Sequence, residues 1–227
     1  MNQMSQNQIF QKSEGDAWFK RNHEHIQDVS LVIDSPDVHY MFEVIKPFVA
    51  RVNHVLEIGC SNGVKLETIC SHIDAVGVGV EPSPMAVKAG NDRKKTAQIE
   101  LVVGTGEKLP CEDASFDLVY FAFCLYLFDR NTLMQSLSEA DRVLKPGGFL
   151  VITDFDPGFH HKRPYNHFQG LFSYKQDYAS FYTQSGLYYS VGKHSFSHGS
   201  PFFDEAPDER VSTNVLYKEI DPYPIRG

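Results

Sequence analysis

The sequence predicts an α/β fold: one open sheet of seven strands, mostly parallel, with helices on both faces and an antiparallel last strand. Three observations carry this. From Val52 to Ile152, β-prone apolar runs alternate with helical patterns, as in parallel strands joined by crossover helices. The first run, Val55-Leu56-Glu57-Ile58, ends in the turn Gly59-Cys60-Ser61-Asn62-Gly63, and a helical stretch, Val64 to Ser71, follows. The last two runs, Gly186 to Ser195 and Arg210 to Lys218, follow one another with no helix between them and finish the sheet as an antiparallel edge pair.

Size and charge bound the class. A chain of 227 residues suits one full core, since single cores stop growing beyond about 250–300 residues. The net charge of −8 builds no basic face, which argues against a nucleic-acid partner. No apolar run approaches the roughly 20 residues of a membrane helix. The polar start, Met1 to Gln8, lacks the basic and apolar regions of a signal peptide, so a cytoplasmic location is expected. Cys60, Cys70, Cys111 and Cys124 form no C-x-x-C pair and are expected as free thiols. The partner expected is a small-molecule substrate, with a homodimer left open.

In chain order, residues 1 to about 12 read as a frayed polar tail. Glu14 to Gln27 reads as a helix, with Trp18 and Phe19 followed one turn on by Arg21 and Asn22. That aromatic pair can dock on the core or cover a site. A second helix is expected from Pro36 to Val49, broken near Pro47. The second strand, Ala75 to Val80, ends at Glu81-Pro82-Ser83-Pro84. A carboxylate there has two oxygens to accept from two adjacent ribose hydroxyls. Pro84 can open the next helix, to about Asn91. The third strand is Ile99 to Val103, followed by Gly104-Thr105-Gly106-Glu107. The fourth is Phe116 to Ala122, continuing into Phe123–Phe128. Asn131 to Leu144 is an amphipathic helix that stops at Lys145-Pro146-Gly147-Gly148, and the fifth strand runs on to Thr153-Asp154.

The glycine spacing narrows the ligand. A dinucleotide turn reads G-x-G-x-x-G; here it is Gly59-x-x-x-Gly63, with Glu57 two residues ahead. A carboxylate beside the loop repels a pyrophosphate. It suits a ligand that is cationic, or that offers hydroxyls and an ammonium. The stretch resembles motif I of the class I S-adenosylmethionine (SAM)-dependent methyltransferases, E/D-x-G-x-G-x-G, with Ser61 in place of the middle glycine. Val143-Leu144-Lys145-Pro146-Gly147-Gly148-Phe149-Leu150 resembles the L-K-P-G-G-x-L string of the same superfamily, within a match over about residues 50–155. Gly15-Asp16-Ala17-Trp18-Phe19-Lys20-Arg21-Asn22 is similar to an element of type 11-like enzymes from bacterial surface-polysaccharide loci.

The resemblance implies a Rossmann-like fold, SAM as cofactor, an N-terminal helical lid over residues 1–50 and a SAM-binding domain over 51–227. It implies cofactor contacts from Trp18 and Asn22; from Glu57, Gly59, Cys60, Ser61 and Gly63; from Glu81 and Pro82; from Thr105, Gly106 and Glu107; and from Phe121. Thr105 stands where relatives carry an acid for the adenine amine, and Tyr126 where many carry a histidine. Cys60 reads as a small residue at a crowded turn more readily than as a reactive thiol.

The substrate segment is expected over about 156–205. It packs His160, His161, Lys162, Arg163, Tyr165 and His167 into a few residues of an acidic chain, with Tyr174, Lys175 and Tyr178 after them. A helix to about Ser185 is expected next. Lys162, Arg163, Tyr165, Tyr174, Lys175 and Tyr178 are candidates for holding an anionic acceptor such as a phosphorylated metabolite or sugar. His160, His161 and His167 are candidate bases, with Asp154 as orienter and Tyr126 lining the pocket. Their spacing is not that of a helical metal site, so no metal is expected. Two competitors remain: a SAM-binding subunit without activity of its own, and a nicotinamide dehydrogenase, whose turn spacing is absent.

Overall fold

The protein, seen in a computed structural model, is described over residues 4–26, 32–94 and 98–225. The strands are β1 His54–Ile58, β2 Val76–Glu81, β3 Ile99–Val103, β4 Phe116–Ala122, β5 Leu144–Phe155, β6 His161–Pro164, β7 Phe172–Lys175, β8 Tyr188–Ser197 and β9 Arg210–Lys218. All but β6 and β7 form one sheet, in the order β3-β2-β1-β4-β5-β9-β8. The first five are parallel, and β9 runs antiparallel to both β5 and β8. The expected fold and edge pair are therefore present.

Strand alternation sends neighbouring residues to opposite faces, which builds two cores. Leu56, Ile58, Val119, Phe121, Leu150 and Ile152 face the helix Leu133–Val143, which contributes Leu133, Leu137 and Ala140. Val55, Leu118, Tyr120, Phe149 and Val151 face two other helices, Pro36–Ile45 and Val64–Ile73. Each side chain of this size contributes roughly 1.5–3 kcal/mol on full burial. A residue such as Val55 or Leu56, wholly buried, is thus as costly to lose on one face as on the other.

Four expectations need correction. The frayed tail is a helix, Gln6–Ile9, that continues through a wider turn, Phe10–Glu14, into the helix Gly15–Asn22. Its start is a capping box: Ser5 Oγ accepts from Gln8 N–H at 3.2 Å, and Gln8 Oε1 accepts from Ser5 N–H at 3.0 Å. Ile9 and Phe10 then pack on Leu171. The helix expected over Glu14–Gln27 tightens after Asn22 into the turn His23–Ile26, and Gln27 lies outside the described residues.

The fourth strand ends at Ala122 as expected, and the chain then turns at Phe123 into the short helix Leu125–Leu127. The basic segment is no open loop: it forms a hairpin, β6 His161–Pro164 against β7 Phe172–Lys175. The helix expected to about Ser185 is the single turn Ser180–Thr183: Asp177 caps the backbone N–H groups of Ala179 and Ser180, and the chain turns again at Gly186.

Candidate active site

A cavity lies at the carboxyl ends of the parallel strands, beside the junction of β1 with β4 where the strand order reverses. Its floor is the turn after β1. Gly59 has φ +77, and a Cβ there would fall 2.7 Å from Cys124 Cβ. Ser61 is also left-handed, φ +50, although it is not glycine. That is the physical reason a glycine suits this position. The Ser61 N–H donates to Glu81 Oε2 at 3.0 Å, while its own Oγ is buried without a partner among the described residues.

Two carboxylates frame the turn. Glu81 ends β2 and accepts from the backbone N–H groups of Ser61 and Ser83, both at 3.0 Å. Burial pushes its pKa up to about 7 against those two bonds. Glu57 is 2% exposed, and its Oε2 has no partner among the described residues. Burial pushes Glu57 up to about 8; Lys65 opposes that, and Asp37 and Glu81 add to it. Lys65 is itself engaged with Asp37, so Glu57 lacks a dedicated cation.

The N-terminal segment borders the cavity through Asn7, Phe10, Gly15 and Trp18. The Gln6 N–H donates to Asp129 Oδ2 at 2.7 Å, and the Gln6 side chain donates to the carbonyls of Leu127 and Phe172. Asn7 donates to Glu107 and, at 3.0 Å, to Thr132 Oγ1. Asp16 accepts from Ser83 Oγ at 2.5 Å and from Met85 N–H at 3.1 Å, which ties the lid to the helix Pro84–Arg93. Glu14, buried, pairs with Arg21 and accepts from Tyr165 OH at 3.0 Å, which ties the lid to the hairpin.

Phe123 is the strained residue of the site. It has φ +59, a conformation that costs a bulky side chain about 1–3 kcal/mol. Its N–H donates to Thr153 O at 2.9 Å. Its ring packs on Tyr126, Phe155 and His198, at centroid distances of 5.2, 5.0 and 5.5 Å.

Of the residues expected from the sequence, Trp18, Gly59, Ser61, Glu81, Pro82, Thr105, Gly106, Glu107 and Tyr126 border this one cavity. Glu57, Cys60, Gly63 and Phe121 lie behind its wall, where they shape or charge it without bordering it. Gly63 takes φ +72 to start the next helix, where a Cβ would meet Leu101 at 2.7 Å. Asn22 turns back on Trp18 O at 2.8 Å. Asp154 is buried behind Tyr126, accepting from its N–H at 3.2 Å and from Phe155 N–H at 2.8 Å; burial pushes it up to about 7. Burial also raises the Tyr126 phenol, with Asp154 adding to the effect.

The structure does not bring the expected bases or cations to the cavity. His160 is exposed beside a shallow hollow with Asp156, Phe159 and Asp177. His161 Nε2 lies 2.6 Å from Asp208, and His167 stands edge-on to Tyr165. Arg163 pairs with Asp208, and Lys175 donates to Asp208 O at 2.6 Å. Lys162 lies over the Phe172 ring. Tyr174 lies under Arg130, Tyr165 holds Glu14, and Tyr178 is buried in the core. The cause is the hairpin register, which sets His161 opposite Lys175 and brings both to the turn at Asp208. That partner is 45 residues from Arg163, beyond any local pattern.

Residues absent from the sequence reading line the cavity too: Asn7, Phe10, Phe123 and Phe128. The signal for the first two was the capping box Ser5-x-x-Gln8 ahead of Ile9 and Phe10. Phe123 carried no local signal.

The donor set fits a ligand with a diol and a cationic end. Glu81 borders the cavity with lone pairs still open, and Glu57 offers an unpartnered oxygen beneath the glycine turn. A pyrophosphate does not fit, since the charged residues bordering the cavity are Glu81 and Glu107.

Residues 56–152 match the family described as "Methyltransferase domain". The chain is 32% identical over 120 residues to a demethylmenaquinone methyltransferase of Tropheryma whipplei, covering 52% of this chain and 49% of that one. It is 33% identical over 108 residues to the 27-O-demethylrifamycin SV methyltransferase of Amycolatopsis mediterranei, covering 45% and 39%. The chain thus spans about half the length, or less, of these curated relatives. Among solved structures it resembles the Burkholderia thailandensis 1,6-didemethyltoxoflavin-N1-methyltransferase with bound 1,6-didemethyltoxoflavin and S-adenosylhomocysteine. The TM-score is 0.68 at 13% identity, with 93% of this chain and 88% of that one covered, which speaks to fold.

Proposed function

We propose that this chain, whose residues 56–152 form a class I SAM-dependent methyltransferase domain, transfers a methyl group from SAM to a small molecule held under its N-terminal lid. One observation carries the reading. The glycine turn and the β2 carboxylate Glu81 meet at one cavity, with the unpartnered Glu57 oxygen behind its wall, and no Lys, Arg or His borders that cavity among the described residues.

The chain's residues supply position and exclusion. Glu81 would hold the ribose diol, and Glu57 would face the cationic end. Thr105, Gly106 and Glu107 would flank the adenine side. Bound there, the cofactor supplies an electrophilic methyl carbon on a sulfonium. The lid residues Asn7, Phe10 and Trp18 would keep water out of the chamber. Tyr126 borders the cavity, where its O–H would orient an acceptor. No imidazole borders the cavity among the described residues, so the reading rests on alignment of the nucleophile and assigns no histidine base. The anionic acceptor expected from the basic segment gains no support, since the cations of that segment are engaged away from the cavity.

The missing imidazole also favours a second reading, a SAM-binding subunit that turns over only with a partner. Calorimetry with S-adenosylhomocysteine on the wild type and on Glu81→Ala tests cofactor binding. The expected loss is roughly 10- to 100-fold, the worth of hydrogen bonds to a charged group. Equal affinity of the two proteins counts against the assignment of the site. Binding without methyl transfer to any of a panel of small acceptors, with transfer restored by a partner, selects the second reading.

A further inference from the structure

We propose that the acceptor is a planar, uncharged aromatic or heteroaromatic ring that slots against the wall formed by Trp18, Phe123 and Tyr126. The inference rests on the methyltransferase reading above and names its substrate class. The three residues border one cavity. The Phe123 and Tyr126 rings are 5.2 Å apart, backed by Phe155 at 5.0 Å from one and 5.2 Å from the other. His198 closes the second row, stacked on Phe123 at 5.5 Å. Rigid flat faces supported from behind offer ring-to-ring contact with little motion left to freeze.

Backbone geometry points to the same residue. Phe123 sits at φ +59, where a bulky side chain is an outlier, and such outliers persist where the surrounding fold over-determines them. Charge points the same way. The charged groups bordering the cavity are Glu81 and Glu107, both acids, so a carboxylate or phosphate would enter without a counter-ion.

Calorimetry on the full chain, with and without saturating S-adenosylhomocysteine, tests this with three probes: 2-naphthol, its ring-matched acid 3-hydroxy-2-naphthoate, and phenyltrimethylammonium. Trp18 is the only tryptophan, so quenching of its fluorescence locates the bound ring. The expected result is 2-naphthol binding at least tenfold tighter than the acid, with Trp18 quenched. Phe123→Leu should weaken it about tenfold and Phe123→Tyr restore it. Trp18→Leu, a change on the half-buried lid, should weaken it likewise if Phe123→Leu fails to fold. Equal or tighter binding of the acid overturns the proposal. So does preference for phenyltrimethylammonium, which would make the wall a cation cage. Failure of S-adenosylhomocysteine to bind would sink the methyltransferase reading alone, since the naphthol comparison on cofactor-free protein still decides the slot.

Discussion

Ser61 carries a conflict that one substitution isolates. It holds φ +50 and buries a hydroxyl without a partner, yet its N–H is needed by Glu81. Ser61→Gly keeps the N–H and removes both penalties. The left-handed conformation costs a non-glycine residue about 1–2 kcal/mol, and glycine returns about 0.5–1 kcal/mol of that through the entropy of the unfolded chain. The unpartnered hydroxyl adds to the gain. The net expectation is a variant more stable by about 1 kcal/mol, which in a chain this size raises Tm by roughly 2–4 °C in a thermal melt. An unchanged or lower Tm would mean that the serine hydroxyl finds a partner in solution. Glu81 next to it shows why a strong motif residue is legible: a carboxylate at the end of a second strand has few structural reasons to be there. Phe123 shows the reverse. Its identity is ordinary, and its role comes from a backbone turn that no local pattern announces.

At the scale of elements, the lid is fastened by single polar residues more than by area. Asp16 accepts from the Ser83 hydroxyl and the Met85 N–H, so it caps from another element the helix that starts at Pro84. Asp16→Ala should cost about 1–2 kcal/mol, the worth of a helix cap, and should loosen residues 5–22 first. Limited proteolysis would then cut the lid of the variant several times faster than that of the wild type. Equal cutting rates would show that Gln6, Asn7 and Glu14 hold it without Asp16. The hairpin β6–β7 makes a related point. Its His161, Arg163 and Lys175 are drawn to Asp208, so the charge density of the segment is spent on its own folding. Composition marks such a segment as basic, but only pairing says whether the charge is free.

For the whole molecule, the three buried acids set a pH dependence. Glu57, Glu81 and Asp154 are raised to about 8, 7 and 7, above their unfolded values. In that case the folded state binds more protons than the unfolded one. Stability is therefore fullest below the unfolded carboxylate range, near pH 4, and falls as pH rises toward 8. Each unit of upward shift is worth about 1.4 kcal/mol at full effect. Asp37 is shifted the other way, by Lys65 and its hydrogen bonds against burial, so its loss is confined to strongly acid solution. The ligand-free protein should melt several degrees lower at pH 8 than at pH 5.5. S-adenosylhomocysteine, which brings an ammonium, should narrow the gap. A flat melt over that range would show that water reaches these carboxylates.

The sequence by itself determined the layered α/β fold, the glycine turn, Glu57 and Glu81, and the edge pair. All are written in local periodicity, in turn chemistry and in spacing along one chain segment. Tertiary structure alone decided the aromatic side of the cavity. The lid residues Asn7 and Phe10, the left-handed Phe123 and the aromatic wall come from segments far apart in sequence, brought together at the end of the sheet. It also decided which charges are free. Asp208 and Arg163 choose each other through hairpin register and a distant turn, and ion pairing over such separations leaves no trace in local sequence.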